Sequence, residues 1–195
     1  TSFICGHFNT SAIFCGDTVA VGLKGVELFL AGRDANGDCT WTRRVGTTQP
    51  PGSNTEARMV GIARATNGDL AVAGHFQGTL DFGGTILEST GGKDLFVARY
   101  DATGTLLWAL SEGGPGMQQA TGIAFDASGN VIVVGSFTDA FTIGTDALMT
   151  VGATDGFIAK FTSSGSPSWA STMGGAGFDG ANNVGCDASG NIHVI

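Results

Sequence analysis

Short apolar runs separated by polar turns organise this chain. Segments such as "NVIVVGSF" at 130–137 and "GFIAKF" at 156–161 are apolar at nearly every position, and glycine-rich turns bound them. A strand with one face in water would alternate polar and apolar residues, so these runs predict strands that are buried on both faces. No stretch of helical periodicity lies between them, which excludes folds built from βαβ units.

The pattern returns at an interval of 61 residues. The segment "GIARATNGDLAVAGHF" begins at Gly61, "GIAFDASGNVIVVGSF" begins at Gly122, and "NVGCDASGNIHVI" begins at Asn183. A divergent copy fills the N-terminal third, where a polar loop at 46–58 adds six or seven residues. Internal repetition of this kind indicates a repeat architecture. We therefore treat 1–195 as a single segment with repeats at about 1–60, 61–121, 122–182 and 183–195.

Each repeat is predicted to hold four strands, A to D. In the repeat that begins at Gly122 they lie at about 121–126, 130–137, 156–161 and 168–173. Four-stranded units that are buried on both faces are typical of β-propeller blades. The predicted fold class is all-β, a β-propeller segment of about three four-stranded blades. Propellers have at least about four blades, so we expect other blades or other copies to close the ring. A parallel β-helix, whose coils are shorter, is the alternative.

The repeat also resembles a known family. The pattern GIAxDASGNxxVxGSF, then DxFxAKxxxxGxxxW and a Gly-Gly pair, is similar to the bacterial SBBP-type β-propeller repeat, and the similarity covers essentially the whole chain. The first repeat departs from the pattern, with Thr1 at the turn Asn position and Glu27 in place of the Asp. The resemblance implies a propeller of more than three blades, often seven, in a large secreted or cell-surface bacterial protein. It implies no particular enzymatic activity.

Composition and charge narrow the partners. Glycine accounts for 33 of 195 residues, charged residues for only 13%, and the formal net charge is −8. An acidic surface repels phosphate backbones, so we expect neither nucleic acid nor an anionic membrane surface as a partner. No apolar run approaches the ~18 residues of a membrane-spanning helix, so we do not expect membrane insertion. A protein or a glycan is the expected ligand.

One tryptophan occurs in each repeat: Trp41, Trp108 and Trp169. A large flat side chain once per blade suits packing between blades. The spacing D-x-x-G-x-x-x-W is close to the Asp box of sialidases, but each interval is one residue longer. The tryptophans are therefore interpreted as structural residues.

An acidic residue opens strand C in each repeat: Glu27, Asp94 and Asp155. A carboxylate in this place can accept backbone N–H bonds and fix a turn. Calcium binding is conceivable, because calcium prefers clustered oxygens, but one acid per blade lies far from its counterparts. We favour the turn-fixing role and expect no cofactor.

The recurring "DASGN" segment is interpreted as the hairpin between strands A and B. Asp126 and Asp187 can accept hydrogen bonds from the backbone two residues on, and Gly129 and Gly190 can supply a positive φ. The segment is therefore expected to be a structural turn rather than a ligand loop.

Candidate binding residues lie in the irregular N-terminal repeat. Arg43, Arg44 and Gln49 stand out there, although solvated loop residues are the alternative interpretation. His7 and His75 occupy equivalent positions, and with Cys5 they could hold a metal, but blades hold equivalent positions apart, so packed histidines are favoured.

The cysteines leave two possibilities open. No CxxC pair is present, and either one disulfide among Cys5, Cys15 and Cys39 or buried free thiols would fit the sequence.

These features favour an extracellular or cell-surface module that binds a ligand or serves as a scaffold, without catalytic residues. The alternative is a fragment of a propeller hydrolase or lyase that acts on glycans, or a lectin. An enzyme would need charged residues at the propeller axis. Strand A, normally innermost, offers mostly Gly, Ala, Ile and Val, and Arg64 is the chief exception.

Overall fold

The computed structural model describes residues 1–8, 12–14, 16–19, 26–46 and 56–195. Within this part of the chain every regular element is a β-strand, and there is no helix long and apolar enough to cross a membrane. The first repeat contributes β1 (Ser2–Phe8), β2 (Ala12–Phe14), β3 (Asp17–Val19), β4 (Glu27–Arg33) and β5 (Cys39–Val45). The second contributes β6 (Glu56–Arg64), β7 (Leu70–Gln77), β8 (Thr79–Asp81), β9 (Ile86–Glu88), β10 (Asp94–Tyr100) and β11 (Leu106–Glu112). The third contributes β12 (Gln118–Phe125), β13 (Val131–Phe137), β14 (Phe141–Ile143), β15 (Asp146–Leu148), β16 (Asp155–Phe161) and β17 (Pro167–Met173), and the last contributes β18 (Val184–Cys186) and β19 (Ile192–Val194).

The long strands form antiparallel sheets that meander in chain order. Blade 2 has the order β6-β7-β10-β11 and blade 3 the order β12-β13-β16-β17. Blade 1 contains β1, β4 and β5, which correspond to strands B, C and D, and β18 pairs with β19 as strands A and B of the last repeat. The predicted fold class, an all-β propeller segment built from four-stranded blades, is confirmed.

Two details differ from the expected strand pattern. Strand A of blade 3 begins at Gln118 rather than near 121, because a bulge at Thr121 lets the pairing with β13 continue past the irregularity. The prediction of four strands per repeat includes no strand between B and C, yet each central blade forms a short hairpin there, β8–β9 or β14–β15. Alternate side chains of these hairpins, such as Phe141, Ile143 and Leu148, are buried under the blade and hold the hairpin to it.

Each blade is apolar on both faces because each face packs against a different neighbour. In β7, Leu70 and Val72 belong to the core shared with blade 1, whereas Ala71 and Ala73 belong to the core shared with blade 3. In blade 3 the alternation repeats: Val131 and Val133 face blade 2, and Ile132 and Val134 face the last repeat. Successive residues of a strand point to opposite faces. Alternate residues of each continuous apolar run therefore belong to two different cores, one on each side of the sheet.

The tryptophans lie between successive blades. Trp41 packs on Gly104 of blade 2, where a Cβ would come within 2.7 Å of the indole, and Trp108 packs on Gly165 of blade 3 at 2.8 Å. The indole Nε1 of Trp108 also donates a hydrogen bond of 3.0 Å to the carbonyl oxygen of Ser163. In blades 2 and 3 the C–D hairpin glycine therefore contacts the tryptophan of the preceding blade, and a larger residue at that position would clash with the indole.

A buried arginine forms a second link between blades 2 and 3. Arg99 is 5% exposed, and its guanidinium pairs with Asp69 of its own blade at 2.9 Å. The same group donates to the carbonyl oxygens of Gly129 and Ser163 in blade 3 and lies 5.2 Å from the ring centre of Phe125. Because every nitrogen has a partner, the buried charge is compensated and holds both hairpins of blade 3 in place.

Replacing Trp108 by Ala is expected to lower the free energy of unfolding by about 2–3 kcal/mol. The substitution removes the packing of the indole on Gly165 and its hydrogen bond to Ser163. Trp169→Ala is the matched control: no glycine of the described chain seats Trp169, so we expect a loss below about 1 kcal/mol. Chemical denaturation of the two variants measures the difference. Equal losses would contradict the role of the tryptophan–glycine contact between blades.

Candidate functional site

The blades have two ends with different structures. In blade 3, Val131 pairs with Phe161 at one end of the sheet and Phe137 pairs with Asp155 at the other. The A–B and C–D hairpins therefore share one end, which we call the hairpin face. The B–C and D–A connections share the other end, which we call the connection face. Candidate sites occur on both.

The "DASGN" turns lie on the hairpin face. The Asp126 carboxylate accepts hydrogen bonds from the backbone N–H groups of Ser128 and Asn130 at 2.9 and 2.8 Å. Asp187 makes the same pair of bonds with Ser189 and Asn191. Gly129 and Gly190 have φ values of 76° and 84°, a region that glycine adopts without steric cost. The aspartates thus close the turn, and the glycines complete it.

The acids that open strand C lie at the opposite end, on the connection face. Asp94 and Asp155 are each 1% exposed. Asp94 Oδ2 accepts from the backbone N–H of Thr90 at 2.8 Å, and Asp155 Oδ2 accepts from that of Val151 at 2.6 Å. Burial raises the pKa of Asp94, and the hydrogen bonds from Thr90 partly oppose that rise. Each acid anchors the end of its B–C connection.

The Gly-Gly pairs of the repeat accommodate these acids. A Cβ on Gly113 would stand 2.0 Å from Cγ of Asp94, and one on Gly174 would stand 2.5 Å from Oδ1 of Asp155. In blade 1 the longer acid, Glu27, is buried and instead forms an ion pair with Arg44. The first glycine of each pair is therefore required by the carboxylate beside it.

Two of the three residues that the sequence singles out for ligand binding lie in one cleft between blades 1 and 2. This outer cleft has a volume of about 480 Å³, and Arg43, Arg44, Tyr100 and Leu106 are among its lining residues. Arg43 Nε donates to the carbonyl oxygen of Gly104 at 2.6 Å. Because Arg43 holds the neighbouring blade and Arg44 is paired with Glu27, neither guanidinium is poised for a ligand. Gln49 lies outside the described residues.

The cysteines and histidines form no metal site in the described part of the chain. No group of three or more His, Cys, Asp or Glu side chains that could hold a metal ion occurs there. Cys39 is disulfide-bonded, whereas Cys5 and Cys186 are free. Burial raises the pKa of the Cys5 thiol to about 11, so this sulfur stays protonated at neutral pH. Cys15 lies outside the described residues.

A concavity on the hairpin face brings together three repeats. It has a volume of about 310 Å³ and is lined by the last strand-A residue of each repeat, Arg64, Phe125 and Cys186, and by the turn residues that follow them. These three positions are 61 residues apart in sequence. We call this surface the three-repeat concavity. It joins a guanidinium, an aromatic ring and a thiol at one repeat position.

The charges around the three-repeat concavity are held in fixed states. Burial alone would raise the pKa of Asp126, but Lys160, with its Nζ 2.8 Å from Oδ2, and Asn130 lower it to about 2. Hydrogen bonds from Asn191 hold the pKa of Asp187 at about 2. Both carboxylates are therefore ionised at neutral pH and suit hydrogen-bond acceptance rather than proton donation. Arg64 is exposed and lies 5.8 Å from the ring centre of Phe3.

Sequence reasoning noted Arg64 as an exception in strand A but did not connect it with Phe125 and Cys186. The signal was available, since the three residues share one position of the 61-residue repeat and differ completely in chemistry. In the turn that follows, the glycine is the same in all three repeats: Gly68, Gly129 and Gly190. Comparing equivalent positions for variation, rather than for identity, would have identified this surface.

Two buried groups away from the three-repeat concavity have strongly displaced pKa values. Burial, with repulsion from Lys93, lowers the pKa of His75 to about 4, and Glu56 opposes this change while Arg58 adds to it. Burial raises the pKa of Glu112 to about 7. Glu112 lies on β11, the outer strand of blade 2, whereas the three-repeat concavity lies at the inner strands.

Comparison with known proteins supports the architecture. No protein-family model matches the chain. It is similar to an uncharacterized WD repeat-containing protein of Acanthamoeba polyphaga mimivirus, with 26% identity over 144 residues, and to the regulatory protein FlaEY of Caulobacter vibrioides, with 31% identity over 136 residues. Each match covers 68% of this chain but only 10% and 14% of the two relatives. WD repeats form four-stranded propeller blades, so the chain is a propeller-type repeat protein.

Gly113→Ala is expected to destabilise the fold by about 2–3 kcal/mol, because the added methyl group would overlap the Asp94 carboxylate at the end of a buried strand pair. Gly185→Ala is the matched control, since no atom lies within 4 Å of its added Cβ, and its expected effect is below about 0.5 kcal/mol. Denaturant unfolding of both variants tests this. A wild-type midpoint for Gly113→Ala would refute the requirement for glycine beside the acid.

His75→Gln and Glu112→Gln are expected to change the slope of stability against pH in opposite directions. The pKa of His75 falls from 6.5 to about 4 on folding, so the unfolded chain binds more protons and His75 makes stability rise with pH in that range. The pKa of Glu112 rises from 4.5 to about 7, so the folded chain binds more protons and Glu112 makes stability fall with pH.

Urea midpoints between pH 4.5 and 6.5 measure the slopes. The urea midpoint of His75→Gln should fall more steeply with rising pH than that of the wild type, because Glu112 and the raised pKa of Asp94 act unopposed. The urea midpoint of Glu112→Gln should rise with pH, because His75 is still present and makes stability increase with pH. Asp126 and Asp187 titrate below this range. Parallel profiles for the three proteins would show that these groups do not control the pH dependence.

Proposed function

We propose that the chain is a non-catalytic ligand-binding module of the SBBP type in a secreted or cell-surface bacterial protein, and that its ligand contacts the three-repeat concavity. One observation carries this proposal. At a single repeat position, three successive blades place Arg64, Phe125 and Cys186 around one concave surface. The turn glycine recurs as Gly68, Gly129 and Gly190, while the residue at the end of strand A differs in every repeat. This is the pattern expected when a constant scaffold carries a variable binding surface.

The chemistry of the three-repeat concavity favours a polar ligand with an apolar face, such as a glycan or a peptide. Arg64 is exposed and can donate several hydrogen bonds. The ionised Asp126 and Asp187 contribute negative charge, because their oxygens already accept hydrogen bonds within their own turns. Phe125 offers a half-buried ring for apolar contact. A site with few well-placed polar groups around an aromatic side chain is typical of small-ligand recognition.

Electrostatics supports binding over catalysis at this surface. Hydrolysis of a glycan requires one carboxyl group that is protonated near neutral pH and a second that is ionised. Asp126 and Asp187 both have pKa values of about 2, so neither suits the role of the acid. Glu112, whose pKa of about 7 would suit it, lies on an outer strand. The alternative function of a glycan-active enzyme has no acid–base pair to support it here.

A glycan and peptide array followed by equilibrium titration of the best ligand tests the proposal. We expect saturable binding that Arg64→Ala and Phe125→Leu each weaken about tenfold or more, which corresponds to about 1.4 kcal/mol. Arg58→Ala, at the other end of the same strand, is the matched control and should leave the affinity unchanged. An affinity that neither Arg64→Ala nor Phe125→Leu changes, or the absence of any saturable ligand, would refute the site. Turnover of a glycan would refute the non-catalytic role.

A further inference from the structure

A second cavity lies on the connection face, between blades 1 and 2. Its volume is about 280 Å³, and its lining comprises His7, Val26, Glu56, Ala57 and Arg58. His7 stands near the end of β1, and Glu56 to Arg58 form the start of β6. Arg64, at the far end of β6, is six residues from Arg58, or about 20 Å along an extended strand. The two cavities are therefore separate sites.

The unpaired charge of this cavity is positive. Glu56, its acidic residue, is already bound to Lys93, with Nζ 2.8 Å from Oε1. That hydrogen bond lowers the pKa of Glu56, which keeps the carboxylate ionised and neutralised by Lys93. Arg58 and His7 are exposed, and neither donates a hydrogen bond to another described residue. Within the described part of the chain, the guanidinium donors of Arg58 therefore have no hydrogen-bond acceptor and face the cavity.

A buried imidazole lies beside Arg58. His75 is directly opposite Arg58 in the pairing of β6 with β7 and is only 6% exposed. Its Nδ1 is buried and has no hydrogen-bond partner among the described residues. Leaving a buried polar atom unpaired costs about 1–3 kcal/mol, so the fold retains at this place a polar group that its own packing does not use.

Blade 3 provides an internal control for this arrangement. The equivalents of Glu56, Arg58, His75 and Lys93, each 61 residues further on, are Met117, Gln119, Ser136 and Thr154. These four uncharged residues also line a cavity, of about 160 Å³, on the connection face. The blade can therefore form the same strand pairing without any charge. The charges between blades 1 and 2 are not an architectural requirement, and a chain of net charge −8 concentrates positive groups there.

We propose that the cavity between blades 1 and 2 binds an oxyanion, a carboxylate, sulfate or phosphate group, through the guanidinium of Arg58 with His7 beside it. The planar fork of an arginine matches two oxygens of such a group with two parallel hydrogen bonds. Lys93 holds Glu56 by a hydrogen bond, whereas Arg58 acts on the Glu56 carboxylate through its charge alone. Arg58 is the specificity-determining residue, because its equivalent in blade 3 is Gln119, which carries no charge.

The first experiment titrates the isotopically labelled chain with sodium sulfate, at constant ionic strength maintained with sodium chloride, and follows the side-chain resonances of Arg58, His7 and His75 by NMR. We expect a saturable shift of these resonances. Arg58→Gln should weaken sulfate binding about tenfold or more, and Arg58→Lys should retain part of it, because it keeps the charge and loses the fork. Arg33→Gln, on β4 and outside the lining of both cavities, is the matched control and should bind sulfate as wild type does.

Three results would overturn the proposal: a linear response without saturation, an unchanged affinity in Arg58→Gln, or an equal loss in Arg33→Gln. A second titration with a sulfated disaccharide separates two sources of the anion. Affinity about tenfold above that of free sulfate would show that the group belongs to a larger ligand, and equal affinity would show that the free ion suffices. The sulfate titration of Arg58→Gln and the ligand titration of Arg64→Ala are separate measurements, so failure of this site is distinguishable from failure of the three-repeat concavity.

Discussion

Burial on both faces of each sheet is the constraint on which the rest of this structure depends. A strand such as β7 sends Leu70 and Val72 to one neighbour and Ala71 and Ala73 to the other. A single sheet of this composition would expose one apolar face to water, at a cost of about 25 cal/mol for each Å². Stacking of successive blades removes that cost. The sequence repeat and the propeller fold therefore both follow from the need to bury two apolar faces per sheet.

The hairpin turns take part in this stacking as well as in reversing the chain. Gly129 closes the A–B turn of blade 3, and its carbonyl oxygen also accepts a hydrogen bond from Arg99 of blade 2. Gly165, in the C–D turn, is the seat of Trp108. The residues of these turns are therefore constrained by two requirements: the backbone geometry of the turn and the contact with the preceding blade. Positions beside them, such as Arg64 and its equivalents, differ in chemistry from repeat to repeat, although Phe125 also contacts Arg99 of blade 2.

This division explains why the two proposed binding surfaces are found at opposite ends of one strand. The interior of β6 pairs with β7 and packs against neighbouring blades, and only its ends reach a face of the structure. Arg58 emerges on the connection face and Arg64 on the hairpin face. A propeller blade thus offers each inner strand two places where a side chain can change without disturbing the core.

The sequence by itself determined the architecture, because the evidence for it is periodic: the 61-residue interval, the doubly apolar strands and the turn residues can all be read along the chain. It did not determine which residues meet. The outer cleft contains Arg43 and Arg44, as the irregular N-terminal repeat indicates, but their donors are occupied by Gly104 and Glu27. The sequence indicates His7 and His75 as a candidate metal pair with Cys5 and does not single out Arg58, and the cavity that Arg58 and His7 line lies between two blades. Contacts between blades join residues about 60 positions apart, such as Arg43 and Gly104, and the tertiary stacking alone decides which of the equivalent positions face each other.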